Sequence, residues 1–142
     1  KYGMRIINER GTGAAGGLGA GLMAFCNAKL LPGFATISDI VQLEKAIEGS
    51  DLVITGEGKL DYQTKFGKVP FGVAQMADKL NKPVIGLAGK LGKGYEELYN
   101  YGFDNIYSIS EGIDSIEYSI LNAKSLLIKT SERIISSISI NL

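Results

Sequence analysis

Apolar residues recur along this chain in two rhythms. Three short runs, residues 52–55 (LVIT), 84–88 (VIGLA) and 105–109 (NIYSI), are flanked by glycine, proline or aspartate, and their apolar residues do not alternate strictly with polar ones. Runs of this length and composition predict buried β-strands. A shorter extended piece is expected at residues 4–7. The second rhythm repeats every three or four residues and predicts helices. One follows the glycine-rich segment over residues 22–31; another, capped by Thr36 or Ser38 and running to about Glu48, carries Ile37, Ile40, Val41, Leu43 and Ile47 on its inner side. A third starts beside Pro70, with Val73, Ala77 and Leu80 at helical spacing. A further helix is expected near residues 94–101, and a last one near 115–137 carries the stripe Ile116, Ile120, Ala123, Leu127, Ile134 and Ile138.

Strands that alternate with helices, each strand apolar on both sides, predict a three-layer α/β/α domain with a mostly parallel sheet, flavodoxin-like or Rossmann-like. The chain has 142 residues, enough for one core. Only three strands are evident, against about five or six in a typical sheet. The reading therefore expects further strands from an absent N-terminal part or from a partner subunit, and it treats residues 1–142 as a partial domain.

Composition narrows the chemistry. Fifteen basic and fifteen acidic residues cancel, leaving no electrostatic footprint for nucleic acid or an anionic membrane. No apolar run reaches the roughly 18 residues of a membrane span. A cytoplasmic protein is the default expectation, and a homo-oligomer is left open. The single Cys26 lies in an apolar run and is expected to be a buried thiol. Histidine is absent, which excludes Ser-His-Asp and Cys-His catalysis and His-ligated zinc within this chain. What remains is carboxylates, lysines, hydroxyls, backbone amides and a hard metal.

Two segments concentrate that chemistry. The first is GTGAAGGLGAG, residues 11–21, with six of the chain's 19 glycines. Glycines inside a helix cost roughly 0.5–1 kcal/mol each relative to alanine. Close packing against another backbone, or anion binding by the N–H groups of Gly13, Gly16 and Gly17, would offset that. The match of residues 11–16 to G-x-G-x-x-G is weak, because the acidic partner about twenty residues on is missing; Asp39 falls in a helical pattern. The second is the expected strand-end loop GEGKLDYQT, residues 56–64. Ligands of open α/β sheets bind outside the carboxyl ends of strands. Here Glu57 and Asp61 can hold Mg²⁺ or act as a base toward a hydroxyl, with Asp61 preferred. Lys59, Lys68 and Lys90 can neutralise phosphoryl oxygens, Gly56 and Gly58 allow close backbone approach, and Gln63 and Thr64 are candidate ligand contacts.

Three blocks, GTGAAGGLGAGLMAF (residues 11–25), DLVITGEGKLDYQTKFGKVPFGVA (51–74) and PVIGLAGKLG (83–92), together resemble the C-terminal part of the bacterial glycerate kinase family, a two-domain α/β group. The resemblance implies ATP-dependent phosphorylation of D-glycerate, commonly to 2-phosphoglycerate, with Mg²⁺. It implies that this chain is the carboxyl-terminal piece of such a kinase, inactive alone. Under it, Asp61 or Glu57 is the metal-linked or general-base carboxylate, and Lys59 and Lys68 are phosphate or carboxylate partners. Gly13, Gly16, Gly17, Gly56 and Gly58 are close backbone contacts. Arg10 departs from the proline usual before the glycine cluster. The family's Asp-Ser-Phe-Lys-Gly-Ser-like motif has no counterpart in these residues, nor has the early part of its inserted domain. The rival reading is a non-catalytic α/β module that binds a small anion or completes another subunit's sheet.

Overall fold

A computed structural model describes residues 9–138, so the extended piece expected at residues 4–7 lies outside the described residues. The chain divides into two compact units between Thr36 and Ile37. In the first, α1 runs Ala14–Cys26, but Ala15, Gly16 and Gly17 carry φ of 51°, 67° and 94°, so regular helix begins only after them. Glycine enters that left-handed region without the penalty a Cβ brings. Gly19 is buried for another reason: a Cβ there would lie 2.7 Å from the Gly11 carbonyl oxygen. Backbone-to-backbone approach is thus one of the gains that offsets the glycine content. Asn27, left-handed at φ 53°, ends α1 with its N–H on the Leu22 carbonyl, four residues short of the expected span. Cys26 is exposed, not buried. Its apolar neighbours Leu22 and Phe25 are exposed as well, so the run that suggested burial is unpacked among the described residues.

Helix α2, Gly33–Ile40, starts earlier than expected and stops before α3, Leu43–Glu48. Thr36 does not cap it; its hydroxyl donates back to the Pro32 carbonyl within the first turn. Gln42, at φ 53°, breaks the continuous helix that the apolar spacing suggested. Of the expected inner residues only Ile47 is buried, while Ile37, Ile40 and Val41 are exposed.

The second unit, Ile37–Leu142, is built on a parallel three-stranded sheet in the order β1-β2-β3: Val53–Leu60, Val84–Leu91 and Asn105–Ser108. β1 and β2 are longer than their apolar runs. Pairing continues past the glycines, Glu57 opposite Ala88, Lys59 opposite Lys90 and Leu60 opposite Leu91. Residues 56–60, expected as loop, are therefore strand. The glycines permit this instead of ending it. A Cβ on Gly56 would lie 2.5 Å from the Leu87 carbonyl oxygen, and one on Gly89 would lie 2.6 Å from that of Gly58. Two strands can close to this distance only without side chains there.

Helix α4, Val69–Lys79, connects β1 to β2, with Pro70 in its first turn where no N–H partner is needed. Its buried Val73, Ala74 and Ala77 pack on β1 and β2. The Asp104 carboxylate accepts the Val84 N–H at 2.7 Å and the Asp104 N–H returns to the Val84 carbonyl, aligning the starts of β2 and β3. Leu60, Val84 and Leu98 are fully buried, each worth roughly 1.5–3 kcal/mol. Residues 95–101 form a 3₁₀ segment, Tyr95–Tyr101. The expected final helix is two: α5, Ile116–Leu121, capped by Ser115 through the Tyr118 N–H, and α6, Ala123–Ser137. At the break, the Asn122 side chain donates to the Tyr118 carbonyl, the local bonding by which asparagine competes with helix.

Candidate functional site

The carboxyl end of β1 carries Glu57 and Lys59, and the chain then turns immediately. Asp61 and Thr64 close that turn reciprocally. The Asp61 N–H donates to Thr64 Oγ1 at 3.2 Å and the Thr64 N–H donates to the Asp61 carbonyl at 3.0 Å. A 3₁₀ turn, Thr64–Phe66, follows and ends at Gly67, whose φ of 97° sends the chain back toward β1. Lys68 then caps α4 in extended conformation, its N–H on the Thr64 carbonyl at 3.3 Å. Residues two to eleven apart in sequence thereby share one small volume.

Asp61 is the centre of that volume. Its side chain is 6% exposed, against 57% for Lys59 and 33% for Lys68. Lys59 Nζ lies 2.9 Å from Oδ2; Lys68 Nζ lies 3.7 Å from Oδ1 and also 3.7 Å from Oε2 of Glu57. The Gln63 N–H donates to Oδ1 at 3.0 Å. The Lys59 ammonium, above all, holds the Asp61 carboxyl below its ordinary range; burial opposes this, and the Gln63 N–H and the Lys68 charge reinforce it. A carboxylate held ionised in this way is a weak base. Glu57 is freer, with 37% of its side chain exposed.

The end of β2 buttresses this arrangement. Gly92 donates to the Leu60 carbonyl at 2.8 Å and Tyr62 donates to the Lys93 carbonyl at 3.2 Å. A Cβ on Gly92 would stand 2.6 Å from Lys59 Cε and 2.8 Å from Asp61 Cβ. Gly92 is thus a residue beside the cluster that the sequence candidates do not include. The signal is a repeated Gly-Lys-Leu, residues 58–60 and 89–91, followed by Asp61 in one copy and Gly92 in the other; pairing sets Lys59 opposite Lys90 and Leu60 opposite Leu91. Lys65 is paired with Glu97, tying the turn to the Tyr95–Tyr101 segment.

The expected residues therefore fall into distinct places. Glu57, Lys59, Asp61 and Lys68 converge. Thr64 is fully buried and serves the turn. Gln63 gives its backbone N–H to Asp61, while its side-chain amide reaches the Tyr62 hydroxyl at 3.1 Å. Gly56, Gly58, Glu57 and Lys90 border a cleft of about 710 Å³ on the sheet, whose far wall is Ile116, Ile120 and Leu127. Gly13, Gly16 and Gly17 belong to the first unit, where none of their Cβ positions meets a neighbouring atom.

Magnesium ordinarily takes one or two carboxylates together with phosphate oxygens and water. Glu57 suits that donor set. Asp61 suits it less, with Lys59 and the Gln63 N–H bonded to its two oxygens and the Lys68 charge nearby, and no cluster of three or more metal-ligating side chains is found among the described residues. No helix among the described residues is long and apolar enough to cross a membrane.

Comparison with known proteins gives a consistent set of likenesses. The model of the glycerate kinase family matches residues 1–139. The chain is 42% identical over 134 residues to a glycerate kinase of Halalkalibacterium halodurans, covering 94% of this chain and 35% of that protein. It is 39% identical over 132 residues to the glycerate 2-kinase of Escherichia coli, covering 93% and 35%. Among solved structures, a Salmonella typhimurium protein provisionally described as glycerate kinase 2 superposes with a TM-score of 0.65 at 42% identity, over 89% of this chain and 32% of that one. The chain thus spans about a third of the length of these relatives.

Proposed function

Because the chain belongs to the glycerate kinase family, we propose that it contributes the Glu57, Lys59, Asp61 and Lys68 cluster to an ATP-dependent kinase that phosphorylates a hydroxyl of D-glycerate, giving 2-phosphoglycerate. The observation that carries this reading is the convergence of two partly exposed lysines on one buried carboxylate. Phosphoryl transfer is catalysed mainly by positioning and by stabilising charge spread over phosphate oxygens. Lys59 and Lys68 supply that positive charge, to the transferred phosphoryl group or to the glycerate carboxylate. Asp61 orients both ammonium groups. Glu57, at the exposed side of Lys68, is placed to accept a proton from the substrate hydroxyl or to hold Mg²⁺ jointly with phosphate oxygens and water; the metal would neutralise phosphate charge. Gly13, Gly16 and Gly17 are proposed as backbone donors to an anionic group, on the strength of the open space at all three and the left-handed backbone of Gly16 and Gly17.

The test is ADP release by the full-length protein. Release that depends on D-glycerate supports the reading, and release indifferent to D-glycerate removes it. In the same assay Lys68→Ala should raise the KM for D-glycerate or for ATP about tenfold; unchanged constants for both would take Lys68 out of the site.

A further inference from the structure

Thr64 has a role that neither its place in a polar turn nor its residue type announces. It is 0% exposed, so no ligand reaches its hydroxyl. Yet it makes three bonds to the two ends of the cluster: Oγ1 accepts the Asp61 N–H, its N–H donates to the Asp61 carbonyl, and its carbonyl accepts the Lys68 N–H. Asp61 and Lys68 are thereby held at fixed separation through one intervening residue, and the Asp61 carboxylate in turn holds Lys59.

We propose that Thr64 is a positioning residue for phosphoryl transfer, its buried hydroxyl locking the Asp61 turn so that Lys59 and Lys68 address the same anion. This rests on the kinase reading above. The physical reason is that long lysine side chains have several rotamers each, and a lysine contributes to an oriented charge cluster only if its counter-carboxylate is itself immobile. Backbone bonds to Asp61 from Gln63 fix the carboxylate relative to its own turn. The Thr64 hydroxyl is the side-chain group that takes the N–H at the start of that turn, beside the backbone bond from the Thr64 N–H to the Asp61 carbonyl. Misplacement by about an ångström at such a site can cost a hundredfold in rate.

A double-mutant cycle in the full-length protein separates this role from a merely structural one. Thr64→Val keeps shape and removes the acceptor, Thr64→Ser keeps the acceptor, and Lys68→Ala removes one addressed charge. Thr64→Val should lower kcat/KM about tenfold for the substrate that Lys68→Ala affects, Thr64→Ser should restore it to within about threefold, and Thr64→Val should cost less than about twofold when Lys68 is already alanine. Full additivity, unchanged kcat/KM in Thr64→Val, or failure of serine to rescue would overturn the proposal. If Thr64→Val does not fold, Thr64→Cys, with a weakly accepting sulfur, takes its place with the same outcomes. Should the wild-type protein release no ADP with D-glycerate, the kinase reading falls by itself. The same cycle is then read on ADP affinity by calorimetry, where additivity still overturns the positioning role.

Discussion

At the scale of single residues, the site depends as much on what is missing as on what is present. Gly92 lies under Lys59 and beside Asp61, with room for hydrogen alone. Gly92→Ala would force the Lys59 stem aside, since the Asp61 Cβ belongs to a bonded turn and cannot yield as easily. The expected outcome in the full-length protein is a fall in kcat/KM of about tenfold, with thermal stability lowered by only a few degrees. Steady-state kinetics and a melting curve on the same preparation check it; a full rate would show that Lys59 can take another path without loss. The choice between the two carboxylates is also a residue-scale matter. Sequence alone favoured Asp61 as base or metal ligand; in the fold Asp61 has a partner on each oxygen and Glu57 is the more exposed of the two, which is why the proposal above gives that role to Glu57.

At the scale of elements, β1 and β2 are the instructive pair. Glycine punctuates strands in most sequences, so residues 56–60 read naturally as a loop. In the folded chain the glycines let β1 and β2 stay paired to Leu60 and Leu91, which carries Glu57 and Lys59 on a strand instead of a mobile loop and gives them a rigid base. Gly56→Ala would place a methyl carbon 2.5 Å from the Leu87 carbonyl oxygen, a backbone atom that cannot rotate away. Overpacking of this kind typically costs about 1–3 kcal/mol. Urea unfolding of the full-length variant should show an unfolding free energy lowered by that amount, read as a lower midpoint at unchanged slope; an unchanged midpoint would mean the strands separate freely at this point. The helices teach the opposite lesson: their apolar spacing was legible, but the breaks at Gln42 and Asn122 were not, because one residue's local conformation leaves the periodicity intact on either side.

At the scale of the whole molecule, the Asp61 shift makes a statement about pH. Its folded carboxyl titrates below the ordinary value of 3.8, so the unfolded chain binds that proton first as pH falls. The stability it contributes is fully present above the unfolded value and is lost as pH drops through the folded one. Asp61→Asn should therefore flatten the acid limb of a stability-versus-pH curve below about pH 4; an identical acid limb would mean that the Lys59 and Lys68 contacts do not persist in solution. What the sequence determined by itself was the alternation of strand and helix, hence a parallel α/β sheet, together with the family likeness and the inventory of carboxylates and lysines. These depend on local composition and spacing, which chain order preserves. Only the tertiary structure decided that β1 runs on to Leu60, that Thr64 is buried, that Gly92 underlies Lys59, and that Asp61 is enclosed while Glu57 is open. The strand pairing and the Gly92 contact follow from the distance between segments far apart in the chain, set by how closely two backbones approach when no side chain stands between them; the enclosure of Asp61 follows from how one turn folds back on itself.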